Sequence, residues 1–240
     1  IDNEGLLNLA SDVRLLSGFN QPRPLRNTGT LRKSAGSGTA DIGVANNYGL
    51  SLTNSGLIEA QSGIISFFGG GTLDGTLNTA TGTRLDFIGG TYTQTGFGSP
   101  LVTGTGSTRL TGGTMLLHDY PPGFLFVGGT VQLLSDFQGG GSITNLIVDG
   151  ATLTGINTVT GTLRFRSGTL GGVLLVQSGA SFVVEGGTGK TLSAIVTNRG
   201  TFQVSGTGDL NLTGSIDNEG LLNLASDVRL LSGFNQPRPL

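Results

Sequence analysis

Cysteine and tryptophan are absent from this chain, methionine and histidine occur once each, and only 12% of its residues are charged. Without cysteine there are neither disulfides nor thiolate metal sites, so stability has to come from packing and hydrogen bonding. The net charge of −2 leaves no broad field to attract nucleic acid or an anionic membrane. The one basic cluster, Arg23, Arg26, Arg32 and Lys33, is local. No apolar run approaches the roughly 20 residues that span a bilayer, so no membrane insertion is expected in this segment. The chain opens on Ile1 with no signal-like stretch, and targeting information is expected to lie outside it. Helix-favouring stretches of useful length are missing, which argues against helical repeats.

What is present is repetition. Residues 1–25 recur without change as residues 216–240. The chain therefore reads as one module, residues 1–215, followed by the start of the next, residues 216–240, and the whole as a single continuous body cut from a tandem array. Glycine supplies 44 of 240 residues, yet 36% are hydrophobic. These alternate with Thr, Ser and Asn at period two, which favours strands over disorder.

A shorter signal runs inside the module: Asn, any residue, Gly, any residue, apolar, any residue, apolar. It appears as Asn3-Gly5-Leu7-Leu9, Asn54-Gly56-Ile58-Ala60, Asn198-Gly200-Phe202-Val204 and Asn218-Gly220-Leu222-Leu224. Residues two apart in a strand share a face, so the Asn and both apolar side chains are expected to point inward together. A fifth copy, Asn27-Gly29-Leu31-Lys33, puts Lys in the last inward slot, and this strand is expected to bend outward or end early. Between these copies lie Gly-Gly-Thr-apolar strings such as Gly70-Gly71-Thr72-Leu73 and Gly112-Gly113-Thr114-Met115, which read as corner followed by strand. A coil of about 20 residues cannot bury its apolar face alone, whereas stacked coils cover one another. Stacking would bring Asn3, Asn27, Asn54, Asn198 and Asn218 to equivalent corners, where their amides could form ladders.

On these strings the chain resembles bacterial autotransporter passenger regions, filamentous haemagglutinin-like adhesins and related repeat proteins of the cell surface. The resemblance covers nearly the whole chain. It implies a right-handed parallel β-helix, extracellular or on the cell surface, used for adhesion, as a stalk or as a fibre.

Glu185-Gly186-Gly187-Thr188-Gly189-Lys190-Thr191 has the ending of a phosphate-binding loop, but Val184 stands where that motif needs its first Gly and no helix follows. The same string also departs from a calcium-binding nonapeptide, because Lys190 sits where an acid is wanted. It is expected to be a glycine-rich corner with a solvated lysine. His118 is the sole histidine, with neither a nucleophile elbow nor companion ligands for zinc. The acids are scattered, and Asp2 and Glu4 are expected to be outward and solvated, so the carboxylate pair of a polysaccharide hydrolase is not evident.

Two proline-containing stretches are expected to leave the stack as contact loops: Phe19 to Arg26, with Phe19, Arg23 and Arg26, and the segment from His118 through Asp119 and Tyr120 to Phe124. The expected fold is an all-β, right-handed parallel β-helix of about ten coils per module, roughly 48 Å long at about 4.8 Å per coil. No catalytic residue, metal or cofactor is expected. The expected partners are further copies of itself end to end, joined covalently or by self-assembly, with a surface glycan or a neighbouring fibre as further candidates. The alternatives are a polysaccharide-binding or polysaccharide-degrading β-helix and a trimeric receptor-binding fibre.

Overall fold

The computed structural model describes residues 1–18, 23–44, 50–187 and 189–232. These form a β-solenoid of about 11 turns, built from parallel strands with a single 3-10 turn at Phe137–Gly139. Packing divides the chain into two units, Ile1–Leu125 and Phe126–Leu240.

In the first unit each coil contributes one strand to each of three faces. Face A carries Asp2–Asn3, Arg23–Asn27, Leu50–Asn54, Gly71–Leu73, Thr91–Thr93 and Thr114–Leu117. Face B carries Leu6–Leu9, Thr30–Lys33, Leu57–Ala60, Thr76–Thr79 and Leu101–Gly104. Face C carries Arg14–Leu15, Thr39–Ile42, Ile64–Phe67, Arg84–Phe87 and Ser107–Leu110. Period-two alternation sends every second side chain into the column, where equivalent residues stack on register: Leu31 on Ile58 on Leu77, and Ile42 on Phe67 on Phe87. The Phe67 and Phe87 rings stack 5.0 Å apart at 14°, and Phe124 continues the pile at 5.5 Å.

The second unit repeats the plan. Face D holds 156–159, Val173–Val176, Ile195–Asn198 and Ser215–Asn218. Face E holds 145–148, 162–165, Ser181–Val184, Thr201–Val204 and Leu221–Leu224. Face F holds Thr130–Leu133, 152–154, 168–170, Lys190–Leu192, Leu210–Leu212 and Leu230–Ser232. Its interior stacks include Phe182 on Phe202, with ring centroids 4.6 Å apart.

The glycines of the Asn-Xaa-Gly corners answer to coil spacing. A Cβ on Gly56 would lie 2.2 Å from the Gly29 carbonyl oxygen, and one on Gly29 would lie 2.2 Å from that of Gly5. Those carbonyls are needed: Gly5 accepts from the Thr30 amide at 2.7 Å and Gly29 from the Leu57 amide at 2.8 Å. Bulk at these corners would part the coils. In the Gly-Gly strings the second glycine takes positive φ, as at Gly90 (80°) and Gly113 (71°), which turns the chain before the next strand.

Two expectations about lysine are corrected. The strand Thr30–Lys33 neither bends out nor stops early; it stays in register with Leu57–Ala60 and Lys33 is completely buried. Its ammonium donates to Asp12 Oδ1 (2.8 Å) and to the carbonyls of Ala35 (2.7 Å) and Gly36 (2.6 Å), so the buried charge is paired and hydrogen-bonded. Lys190 is likewise buried, not solvated, with its ammonium donating to the carbonyls of Gly186, Gly187 and Thr207. In both cases the aliphatic stem fills the column and the head satisfies a glycine corner.

Candidate functional site

The asparagine of each Asn-Xaa-Gly copy ends a strand with its side chain inward. Asn3 Nδ2 donates to Asn27 Oδ1 (2.6 Å), and Asn27 Nδ2 donates to Asn54 Oδ1 (2.7 Å). The remaining amide hydrogens of Asn3 and Asn27 reach the carbonyls of Thr30 (2.9 Å) and Leu57 (3.0 Å) on the adjacent coil. In the second unit Asn198 Nδ2 donates to Asn218 Oδ1 (2.6 Å) and to the Leu221 carbonyl (3.0 Å). Each link therefore ties two residues one coil apart, separated by 24, 27 and 20 residues of sequence respectively. Asn27, Asn54 and Asn198 are fully buried, so these amides bond in low dielectric, where an unmade bond is costly.

On the outer surface the acids and arginines are also arranged coil over coil. Register places Asp2 beside Arg26, Arg14 beside Asp41, Arg32 beside Glu59 and Asp86 beside Arg109, and all four pairs are in contact. Arg109 grips Asp86 with both Nε (2.8 Å) and Nη2 (2.9 Å), which holds the guanidinium above its usual basicity. In the second unit Arg164 and Arg166 share Glu185, Arg199 meets Glu219, and Arg229 meets Asp209. Hydrogen bonding to Arg229 lowers the Asp209 pKa, as hydrogen bonding to Lys33 lowers that of Asp12. For Lys190 burial dominates and lowers the pKa, opposed by Asp209.

The recurring segment appears in two settings. As residues 1–15 it pairs with the coil that follows: Asn3 with Asn27, Leu6–Leu9 with Thr30–Lys33, and Arg14 with Asp41. As residues 216–232 it pairs with the coil that precedes: Asn218 with Asn198, Leu221–Leu224 with Thr201–Val204, and Leu230 with Leu210. The asparagine and the corner glycine use different atoms in the two roles, whereas the arginine turns its Nε to an aspartate in both. The asparagine gives its Nδ2 to the coil above as Asn3 and its Oδ1 to the coil below as Asn218. The corner glycine works likewise: the Gly5 carbonyl accepts from Thr30, while the residue after Gly220, Leu221, donates to the Gly200 carbonyl at 2.8 Å. The arginine meets Asp41 as Arg14 and Asp209 as Arg229.

Comparison of the chain with protein-family models, curated proteins and solved structures found no match.

The expected contact loops fare differently. Phe19 lies outside the described residues. Arg23 and Arg26 do not stand on a loop; both are exposed on the strand Arg23–Asn27, because Pro24 pairs on face A without needing an amide hydrogen there, its carbonyl accepting from the Ile1 terminus at 2.8 Å. His118, Asp119 and Tyr120 do leave the ladder: face B ends at Leu101–Gly104, and no strand is assigned over 118–123. The His118 and Asp119 amides both donate to Gln94 Oε1 at 2.8 Å, and Asp119 Oδ1 accepts from the Tyr120 amide. The His118 ring meets Phe97 edge-on at 5.9 Å. Among the described residues no group of three or more His, Asp or Glu is placed to hold a metal ion, and no helix is long and apolar enough to cross a membrane. A shallow groove of about 480 Å³ runs along Thr169, Lys190, Thr191, Asp209 and Asn211, but the Lys190 ammonium is turned from it toward corner carbonyls.

Proposed function

We propose that this chain is a structural module of a tandem-repeat fibre or adhesin stalk on the cell surface, assembled by stacking coil on coil. The observation that carries the reading is the double setting of the recurring segment. One sequence shows a bonded lower side as residues 216–232 and a bonded upper side as residues 1–15. Placing both partners on one copy requires no bond to be used twice in the ladder: Oδ1 of the asparagine accepts from Asn198 while Nδ2 donates to Asn27 and Thr30. The four-membered amide ladder Asn198, Asn218 (equivalent to Asn3), Asn27, Asn54 would then cross from one module into the next. The arginine would sit between two aspartates, Asp209 below and Asp41 above. Nearest-neighbour interfaces of this kind are the basis of solenoid stability, and an interface used on both sides propagates.

The ion-paired acids support a structural reading over a polysaccharide hydrolase, since Asp2, Asp41, Glu59, Asp86, Glu185, Asp209 and Glu219 each face an arginine. Electron microscopy of chains carrying one, two and three modules in series tests the proposal. Rods that lengthen by about 48 Å per added module are expected. Modules that separate like beads on a string would overturn it.

A further inference from the structure

Face D differs from the other faces in what it shows outward. Its first three strands, 156–159, Val173–Val176 and Ile195–Asn198, pair without a register shift and present Ile156, Val173 and Ile195 in one row and Thr158, Leu175 and Thr197 in the next. Ile156 is 86% exposed, Ile195 57% and Val173 37%. None of the six outward residues is charged. Charge enters only at the border, with Asp217 on the next strand and the Arg199–Glu219 pair at the corner. On the face beside it Arg164, Arg166 and Glu185 form an ion-paired cluster.

We propose that this row is a lateral contact surface whose partner is face D of a second copy of the chain, the two lying side by side with their Ile156–Val173–Ile195 rows together. An apolar centre with charge confined to the rim is the composition of a protein interface. A face without charge offers nothing to a nucleic acid or an anionic surface, whereas against its own copy it buries no unpaired ion and joins apolar to apolar by a two-fold axis. The row and its flanks amount to roughly 300–400 Å² per copy, the size of the largest apolar patch on an ordinary monomer. That is well below the about 800 Å² per partner of a stable dimer. A single pair therefore associates weakly, while modules in series would add their contacts and hold neighbouring rods together. The weak sideways contact between two copies does not rest on the end-to-end reading, whereas its strengthening along modules in series does.

Val173 lies at the middle of the row, and a two-fold axis along or across the solenoid brings it against its own copy. Because the chain has no cysteine, Val173→Cys introduces a single thiol. Face-to-face sheets lie about 10 Å apart, too far for a disulfide but suited to a bismaleimide spacer of about that length. The rate of linked-dimer formation by the full chain, normalised to labelling by a monofunctional maleimide, is expected to be at least tenfold higher for Val173→Cys than for Gln203→Cys on face E. Adding Ile156→Glu or Ile195→Glu to Val173→Cys is expected to bring the rate to that of the control. Equal rates for the two thiols, or no effect of the glutamates, would overturn the proposal. So would sedimentation of the parent with neutral phosphatidylcholine vesicles, abolished by Ile156→Glu, without excess cross-linking at Val173→Cys, which would make lipid the occupant.

Discussion

Asn27→Ala removes the middle rung of the amide ladder, and its cost can be worked from three hydrogen bonds. Asn27 accepts from Asn3 (2.6 Å) and donates to Asn54 (2.7 Å) and to the Leu57 carbonyl (3.0 Å), at a position with no solvent exposure. At a net 0.5–1.5 kcal/mol each, the lost bonds amount to about 3 kcal/mol. Asn54 Oδ1 is left buried without its donor, adding about 1–3 kcal/mol, while Asn3 keeps its bond to Thr30. The expected destabilisation is therefore about 4–6 kcal/mol. Asn218→Ala removes a chemically identical rung at an exposed position whose neighbour, Asn198, keeps its bond to Leu221, and should cost no more than about 1 kcal/mol. Urea denaturation of both variants, with amide exchange at Thr30 and Leu57 to localise the effect, makes the comparison. Equal costs for the two, or a cost below about 1 kcal/mol for Asn27→Ala, would refute the view that burial gives the ladder its strength.

Other outcomes follow from the same contacts. Gly56→Ala puts a methyl group 2.2 Å from the Gly29 carbonyl oxygen and should cost about 3 kcal/mol or more in thermal or urea unfolding, as overpacking against backbone that can yield only by parting the coils. Lys33→Ala empties part of the column and orphans the Ala35 and Gly36 carbonyls, for an expected loss of about 2–4 kcal/mol in the same measurement. Asp12 and Asp209 have folded pKa values below the ordinary 3.8. Their contribution is thus present above that value and is lost as pH falls below it through the folded values. Unfolding midpoints should accordingly drop below about pH 4, and less so in Asp12→Asn and Asp209→Asn.

The parallel solenoid was legible because its requirements repeat. Asn, Gly and two apolar residues at period two specify corner, close approach and inward pair, and Asn54, Gly56, Ile58 and Ala60 occupy those roles. The lysines escape a hydropathy reading, which weighs the head group and ignores the stem: Lys33 and Lys190 are inward by parity, and the nearby glycine carbonyls that receive them come together only once the coil closes. The prolines around Arg23 and Arg26 suggest a loop, yet Pro24 fits a strand. The pairing of Arg109 with Asp86 or Arg14 with Asp41 could not be read at all. Such pairs depend on register between coils of unequal length, and no local pattern records that.

The central claim is that the recurring coil receives a neighbour on both sides. It is tested most directly by amide exchange at Leu222 and Leu224, measured in the 240-residue chain and in a chain where the module continues through a second copy. These amides alternate with Leu221, which bonds to Gly200, and so point away from the preceding coil. In the continued chain they should bond the copy of Thr30–Lys33, as the equivalent Leu6–Leu9 strand pairs here, and slow by at least about a hundredfold, matching about 2.7 kcal/mol. Unchanged exchange in the continued chain would show that the coil does not stack onward, and the fibre reading would fall with it.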